Sequence, residues 1–192
     1  MPLEIEAKVR CDDLDAIRQR LRDAGARRLG QVMETNIFFD TPERSLQRAD
    51  RGLRLRVNRN LDTGHSTIVI THKGPRQAGL FKARQETELR VDDAEAAAAL
   101  LEALGYARTL TFEKRRESWR LDECSIELDE LPRVGSFVEI EGPTEAQVQG
   151  VKDRLGLGAL PHIDTPYIAM LEECVRGGER VVRFAREADG CQ

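Results

Sequence analysis

The chain has 192 residues, of which 40% are hydrophobic and 33% are charged, and its formal net charge is −4. This length suits one domain with one core, and the balance of acids and bases lacks the basic excess of a nucleic-acid-binding protein. No apolar run approaches the roughly 20 residues of a membrane span, and Met1 to Glu4 has no signal-peptide pattern, so we expect a cytoplasmic protein that contacts neither nucleic acid nor membrane. The four cysteines lack disulfide or zinc spacing and are expected to be reduced thiols.

Eight segments alternate apolar and polar residues with the period of two that is typical of strands. The first, residues 3–9, alternates aliphatic and charged side chains without a fault. The two-residue connections at Asp122-Glu123 and Pro132-Arg133 indicate hairpins, and therefore an antiparallel sheet. The predicted strands are residues 3–9, 32–40, 52–57, 66–73, 86–91, 111–121, 125–131 and 138–141.

Four segments between and after these strands have helical spacing of apolar residues, or the N-cap and C-terminal glycine signals of helices. Asp12 or Asp13 is expected to cap the first and Asp92 or Asp93 the second. The predicted helices are residues 12–26, 92–104, 144–155 and 167–175, which makes the class α+β. We assign residues 1–175 to one domain and 176–192 to an Arg-rich tail that either frays or binds a partner.

The helices carry apolar stripes that only the aliphatic face of the sheet can cover. The charged face is then either an open, solvated surface or the lumen of a closed barrel. Because about eight strands are enough to close a barrel around side chains and one small ligand, we predict an eight-stranded antiparallel β-barrel with a charged lumen and helices outside. The predicted lumen acids are Glu4, Glu6, Glu86, Glu88, Glu127, Asp129, Glu139 and Glu141; the predicted lumen bases are Lys8, Arg54, Arg56, Lys73, Arg84, Lys114 and Arg116.

Charges of one sign are segregated within single strands, which favours a ligand over simple pairing. Arg54 and Arg56 lie two residues apart on one face, so they repel each other and attract an anion. Arginine binds phosphate oxygens in bidentate fashion, and Mg²⁺ prefers a few carboxylates together with substrate phosphates. A metal polyphosphate would satisfy both. The carboxylate pairs that attract a cation are Glu4 with Glu6 and Glu139 with Glu141.

The same residues form an ordered set of motifs. Glu4-Ile5-Glu6-Ala7-Lys8 reads E-x-E-x-K, and the later motifs follow it along the chain. On this set the chain resembles the CYTH, or triphosphate tunnel metalloenzyme, superfamily, which includes class IV adenylyl cyclases and thiamine triphosphatases. The resemblance runs from Glu4 to about Leu171, and residues 39–42 and 52–56 are similar to the class IV cyclase branch. The later motifs are Arg54/Arg56, Thr71-His72-Lys73-Gly74-Pro75, Glu86/Glu88, Lys114/Arg116 and Glu139/Glu141.

This resemblance implies an eight-stranded tunnel, a Mg²⁺ or Mn²⁺ cofactor and a substrate containing a triphosphate. The substrate-binding residues it implies are Lys8, Arg54, Arg56, Lys73, Lys114 and Arg116. We add the predicted lumen base Arg84 to this set, and we expect Lys8, Arg56, Lys114 and Arg116 to be the catalytic residues. The metal ligands it implies are Glu4, Glu6, Glu139 and Glu141, with Glu86, Glu88 and Asp129 as further acidic contacts.

Three functions remain open on these residues. The first is a class IV-type adenylyl cyclase that converts ATP to cyclic AMP and pyrophosphate. The second is a triphosphatase that hydrolyses tripolyphosphate, thiamine triphosphate or a nucleoside triphosphate. The third is a non-catalytic sensor of polyphosphate or nucleotide. The organic group on the triphosphate, the number of metal ions and the oligomeric state, with a homodimer as one option, also stay open.

Overall fold

A computed structural model describes residues 5–77, 83–175 and 177–185 of the chain. Eight antiparallel strands form one curled sheet, with helices on its outer face. The strands are β1 (Ile5–Arg10), β2 (Arg27–Asp40), β3 (Gly52–Asn60), β4 (Ser66–Gln77), β5 (Ala83–Val91), β6 (Ala107–Leu121), β7 (Cys124–Leu131) and β8 (Gly135–Gly142). The helices are α1 (Leu14–Asp23), α2 (Ser45–Arg48), α3 (Ala94–Ala103), α4 (Glu145–Arg154) and α5 (Tyr167–Cys174).

All eight predicted strands and all four predicted helices are confirmed, as is the α+β class with helices outside the sheet. The structure adds α2, a single turn, and β9 (Val181–Val182), which pairs parallel with β6. Residues 177–185 of the predicted tail therefore return to the sheet, and Val182 is fully buried. Residues 186–192 and Glu4 lie outside the described residues.

The strand order is β1-β8-β7-β6-β2-β3-β4-β5, so β1 and β5 are the two edges of the curled sheet. These edges do not pair with each other within the described ranges. The chain after α4 covers β1 instead, because the Lys8 backbone N–H donates to His162 Nδ1 at 3.1 Å and the Lys8 carbonyl accepts from the Ile163 N–H at 2.8 Å. The curl brings the charged faces of the strands toward one another.

Three apolar clusters hold the layers together. Outside the sheet, α1 and α4 pack on β1, β6, β7 and β8 through residues such as Leu21 and Val148, and α3 packs on β2 and β3. The third cluster lies at one end of the curled sheet, where Leu171 of α5 meets Phe137 of β8. Each such fully buried side chain stabilises the fold by about 1.5–3 kcal/mol. Because the aliphatic residues are used in these clusters, the opposite face of the sheet keeps the charged ones.

The helices begin where the sequence signals place them. Asp13, Asp93 and Thr144 accept backbone N–H groups of the first turns of α1, α3 and α4. In both Asp-Asp pairs the second aspartate is the cap. Gly25 and Gly105 follow α1 and α3 with φ of +75° and +93°, a conformation that strains other residues.

Asp40, at the end of β2, fixes the segment that contains α2. Its buried carboxylate accepts the backbone N–H groups of Thr41, Leu46 and Gln47 at 2.7–3.0 Å. Hydrogen bonds to a buried charge are among the stronger ones in proteins, so this segment is held firmly against the end of the sheet. In the part of the chain that the structure describes, no helix has the length and apolar character to cross a bilayer.

Candidate functional site

The inner face of the curled sheet surrounds a cavity of about 680 Å³, within the range of about 300–1,000 Å³ that is usual for small-molecule sites. The segment around α2 and helix α5 line one end of it. All seven predicted basic side chains line this cavity, and so do six of the predicted acids. The acids are Glu6, Glu86, Glu88, Glu127, Glu139 and Glu141. Asp129 lies beneath them, fully buried.

Glu34 of β2 is the carboxylate that joins three of the basic residues. It is 1% exposed, and its oxygens lie 3.3 Å from Lys114 Nζ, 3.5 Å from Arg56 Nη1 and 3.8 Å from Arg116 Nε. Burial alone would raise the pKa of Glu34, but the charges of Lys114, Arg116 and Arg56 outweigh it and hold that pKa well below its usual range. Glu34 is therefore a permanent anion that keeps these cations in place.

Sequence analysis did not include Glu34 or its partner Asn36, whose Nδ2 donates to Glu34 Oε2 at 3.1 Å. The signal was present, because both residues fall two apart within the predicted strand 32–40 and therefore share a face. Glu34 and Asn36 were not assigned to the site because a carboxylate beside an amide is not a pair of like charges, and such pairs were the pattern that identified the site residues of the other strands.

Arg116 and Lys114 of β6 share a second buried anion, Asp129 of β7. Arg116 binds Asp129 in bidentate fashion at 2.7 and 2.5 Å and reaches Glu139 at 2.5 Å, while Lys114 Nζ lies 3.2 Å from Asp129. Burial lowers the pKa of Arg116, but Asp129 and Glu139 raise it well above normal, so the guanidinium stays charged. These two cations are thus fixed in direction before any ligand arrives.

Arg54 of β3 differs from Lys114 and Arg116 because it forms no ion pair with any side chain in the described ranges, and its Nε has no hydrogen-bond partner there. Burial first, and then the neighbouring charge of Arg56, lower the pKa of Arg54 to about 10. Lys73 of β4 lies on the adjacent strand, and burial and Arg54 lower its pKa too, although it binds Glu86. Arg56 and Lys73 have carboxylate partners, whereas Arg54 between them has none among the described side chains, so this basic group is incompletely neutralised at Arg54, where an anionic ligand would fit.

The remaining predicted residues occupy the borders of the cavity. Arg84 of β5 lies 3.8 Å from Asp50, close to the α2 segment, and is separate from the Lys114–Arg116 pair. Glu88 lies 3.8 Å from Arg56 and accepts the Thr71 hydroxyl at 3.1 Å. Glu86 and Glu88 therefore act as partners of basic residues in this structure.

The acidic side of the cavity is formed by β1 and β8. Glu6 lies directly opposite Glu141, and Lys8 opposite Glu139, in the antiparallel register. Directly opposed side chains have Cβ atoms about 4.5–5.5 Å apart, which places the two carboxylates of Glu6 and Glu141 within reach of one ion.

The carboxylates of the cavity can be compared with the coordination that a divalent metal ion requires. No three His, Cys, Asp or Glu side chains of the described residues converge as an all-protein metal site would require, and Glu139 is bonded to Arg116. Mg²⁺, however, is usually held by one or two carboxylates and by substrate phosphates. Glu6 and Glu141 fit such a site, and the predicted ligand Glu4 lies outside the described residues.

Lys8 and helix α5 close the end of the cavity next to Arg116. Lys8 is 1% exposed; its Nζ donates to the Thr165 carbonyl at 2.7 Å and lies 4.4 Å from the centre of the Tyr167 ring. The Tyr167 hydroxyl is buried and has no hydrogen-bond partner among the described residues. Burial, Asp129 and Glu139 raise the pKa of Tyr167 well above normal, so it remains a neutral donor.

The CYTH domain family matches residues 2–155 of the chain. Adenylate cyclase CyaB of Aeromonas hydrophila is 28% identical over 180 residues, which cover 88% of this chain and 89% of the relative. A Methanocaldococcus jannaschii protein that carries a provisional adenylate cyclase name is 25% identical over 139 residues, which cover 72% of this chain and 76% of the relative.

Solved structures share the fold. PH1819 of Pyrococcus horikoshii has a TM-score of 0.78 at 26% identity, with 90% of this chain and 99% of that chain covered. HpAC1 of Hippeastrum has a TM-score of 0.67. It carries a provisional adenylyl cyclase name and is described as having a dominant triphosphatase activity. It is 19% identical, with 91% of this chain and 96% of that chain covered, so the likeness shows the fold alone.

The arrangement around Glu34 predicts how stability depends on pH. Glu34→Gln should lower the free energy of unfolding near pH 7 by about 3 kcal/mol, because it leaves buried cations without their counter-charge. Since the folded pKa of Glu34 is depressed, its stabilisation is present above the usual value of 4.5 and is lost as the pH falls below it. Urea unfolding of the wild type and the variant should therefore give curves that converge in acid.

The matched control is Glu130→Gln, the same change on the outer face of β7, next to Asp129 in sequence. It should alter the free energy of unfolding by less than about 0.5 kcal/mol. A constant difference between wild type and Glu34→Gln at all pH values would contradict the assigned role of the Glu34 charge.

Proposed function

Because the chain belongs to the CYTH domain family, as its motifs indicated, we propose that it is a class IV-type adenylyl cyclase that converts ATP to cyclic AMP and pyrophosphate with Mg²⁺ or Mn²⁺. The observation that carries this proposal is the meeting of two opposite regions in one cavity. Arg54, Arg56 and Lys73 supply cationic groups, and Glu6 faces Glu141 across β1 and β8. A metal triphosphate is the ligand that both regions would bind.

The choice of ATP over a bare triphosphate is supported by the apolar end of the cavity. Phe38 and Phe112 stack with ring centroids 5.8 Å apart, and both line the cavity together with Ile168 of α5 and Gln47 of α2. A flat base could pack on this aromatic surface while Gln47 offers an amide for hydrogen bonding. The adenylate cyclase name of the Aeromonas relative, which aligns with nearly the whole chain, supports the same choice.

The cyclase reaction requires stabilisation of developing negative charge. The ribose 3′-oxygen forms a bond to the α-phosphorus of ATP while the bond from that phosphorus to the bridging oxygen breaks; pyrophosphate leaves, and the hydroxyl proton passes to solvent water. Negative charge builds up on the phosphoryl oxygens and the leaving group, where positioned cations are most effective. Lys114 and Arg116, oriented by Glu34 and Asp129, would stabilise this charge without moving. Arg54 would supply donors that no side chain of the described residues occupies.

A divalent ion held by Glu6 and Glu141 would add Lewis-acid stabilisation of the phosphates. Lys8 lies opposite Glu139 on the same strand pair, beside this carboxylate pair. Its ammonium is directed by the Thr165 carbonyl and by the Tyr167 ring toward α5, and it would orient the phosphate chain at that end. Helix α5, which packs against β8 through Leu171 and Phe137, would limit the access of water at that end of the cavity.

A triphosphatase is the second candidate, with tripolyphosphate, thiamine triphosphate or a nucleoside triphosphate as substrate. Arg54, Arg56 and Lys73 are consistent with a triphosphatase, because these side chains would bind a terminal phosphate as well as an internal one. Hydrolysis would need a water directed at that phosphate by the metal site. The third candidate, a non-catalytic sensor, uses the same contacts without turnover.

Turnover assays separate the three functions. The purified protein is incubated with Mg²⁺ or Mn²⁺ and with ATP, tripolyphosphate or thiamine triphosphate, and the products are resolved by chromatography. We expect cyclic AMP and pyrophosphate in equal amounts from ATP. Release of orthophosphate would establish the triphosphatase instead, and tight metal-dependent binding without any product would establish the sensor.

Glu6→Gln tests the carboxylate pair. The change removes charge without creating a cavity, so we expect kcat to fall by at least about 100-fold while the fold is kept. Steady-state rates across a range of Mn²⁺ concentrations measure this, with Glu130→Gln as the matched control that keeps wild-type rates. Full activity of Glu6→Gln at ordinary Mg²⁺ would remove Glu6 from the metal site.

Arg54→Met tests the cation that lacks a partner. The change removes a buried, uncompensated charge and keeps much of the side-chain volume, so we expect a higher melting temperature. The same variant should have a KM for ATP raised by about tenfold or more, the usual cost of a lost charged hydrogen bond. A lower melting temperature with an unchanged KM would show that Arg54 is structural.

A further inference from the structure

Asn36 of β2 has a buried amide oxygen that lacks a partner. The residue is 1% exposed and lines the cavity, and its Oδ1 accepts no hydrogen bond from any of the described residues. A buried acceptor without a donor is unfavourable, and most such groups in proteins are paired. The amide oxygen is therefore a candidate contact for a ligand that donates a hydrogen bond.

The direction of this amide is fixed by Glu34. Because the ionised Glu34 carboxylate can only accept hydrogen bonds, the group of Asn36 that lies 3.1 Å from it must be the NH₂ group. The amide oxygen is then turned away from Glu34. Since Lys114 and Arg56 hold the carboxylate, the amide is oriented before a ligand binds.

Arg56 of β3 offers an unpaired donor directly across from Asn36. The two residues are opposite each other in the antiparallel register, which places their Cβ atoms about 4.5–5.5 Å apart. The Nη atoms of Arg56 lie near Glu34 and Glu88, but its buried Nε has no hydrogen-bond partner within the described ranges. A hydroxyl next to a phosphate would satisfy both residues, because the hydroxyl donates to the amide oxygen and a phosphate oxygen accepts from Nε.

Asn36 also lies between the two parts of the cavity that the proposed substrate would occupy. Its neighbour on β3 is the cation Arg56, and its neighbour on β6 is Phe112, which stacks with Phe38. The base of ATP would pack on these rings, and the phosphates would bind the cations. Because the ribose joins the base to the phosphates, it would lie next to Asn36.

We propose that Asn36 Oδ1 accepts a hydrogen bond from the ribose 3′-hydroxyl of bound ATP and directs that oxygen toward the α-phosphorus. This inference rests on the proposed function, because it requires a nucleotide in the cavity, and it adds the residue that positions the nucleophile. An amide oxygen is too weak a base to take the proton, which passes to solvent water. Asn36 therefore acts through orientation, and misplacement of a reacting atom by about 1 Å can cost about 100-fold in rate.

The same contact would select the substrate. A nucleotide that lacks the 3′-hydroxyl, or a bare tripolyphosphate, leaves the buried oxygen of Asn36 unpaired. Sites built to bind a substrate hydroxyl discriminate against analogues from which that hydroxyl is missing. The contact would thus favour a ribonucleotide that can cyclise over other triphosphates.

Isothermal titration calorimetry tests the contact in the wild type. The ligand, with Mn²⁺, is an ATP analogue with methylene groups at both phosphate bridges, which can be neither cyclised nor hydrolysed. We expect its 3′-deoxy form to bind about three- to tenfold more weakly, the effect of one neutral hydrogen bond, and its 2′-deoxy form to bind as well as the parent. Equal affinity of the parent and 3′-deoxy analogues, or a loss confined to the 2′-deoxy analogue, would overturn the inference.

Asn36→Ala tests whether this residue is responsible. The variant should bind the parent and 3′-deoxy analogues equally, because the coupling between hydroxyl and amide is gone. Tripolyphosphate, which has no ribose, should bind the variant as well as the wild type. Asn58→Ala is the matched control, since Asn58 of β3 lies opposite Glu34 but outside the described cavity lining, and it should keep the discrimination.

Two results with these variants would contradict the assignment. Weaker binding of all three ligands to Asn36→Ala, by equal factors, would show that Asn36 only supports Glu34. Discrimination against the 3′-deoxy analogue that persists in Asn36→Ala would place the ribose contact elsewhere.

Turnover separates this inference from the proposed reaction. In a cyclase, Asn36→Ala should lower kcat for cyclic AMP by about 100-fold, with a smaller change in KM. A wild-type kcat in this variant would overturn the positioning role. The calorimetric comparison involves no turnover, so orthophosphate release from ATP would remove the cyclase proposal while the 3′-deoxy analogue still decides whether Asn36 binds the ribose.

Discussion

The structure depends on how positive charge is neutralised inside the curled sheet. A buried cation without a counter-charge costs several kcal/mol, so the basic side chains can share one cavity only if anions accompany them. Glu34 and Asp129 meet this requirement for Lys114, Arg116 and Arg56, and they do so with carboxylates that are themselves fully buried. The positions of these cations are therefore set by the protein, and the incomplete neutralisation near Arg54 is left for a ligand.

The alternation of the strands makes this arrangement possible. Every second residue faces outward, where many of the aliphatic ones join the clusters under α1, α3 and α4, while the intervening residues face the cavity. The acids of β1 and β8 and the bases of β3, β4 and β6 come from separate parts of the chain, and only the order of strands in the sheet brings them together. The fold and the site both follow from this alternation, because the apolar face of the sheet packs against the helices and the polar face lines the cavity.

Much of this could be predicted from the sequence, since period-two alternation identified all eight strands and the side to which residues such as Lys114 point. Glu34 was not identified from the sequence because its role depends on three cations from other strands, and no local sequence pattern shows that these residues are close in space. Helix α2 has a single turn and no apolar period, so its position depends on Asp40, which lies six and seven residues before the N–H groups that it accepts. The covering of the β1 edge by His162 and Ile163 joins residues more than 150 apart, which local sequence patterns do not reveal.

The central claim is that the cavity binds a metal triphosphate between its two charged regions. The most direct test is a crystal structure with Mn²⁺ and an ATP analogue that cannot be cleaved at the α-phosphorus, with Mn²⁺ located by its anomalous scattering. The account predicts Mn²⁺ beside Glu6 and Glu141, and phosphate oxygens within hydrogen-bond distance of Arg54 and Arg56. Phosphates bound outside the sheet, with the Arg54 guanidinium still without an anionic partner, would contradict it.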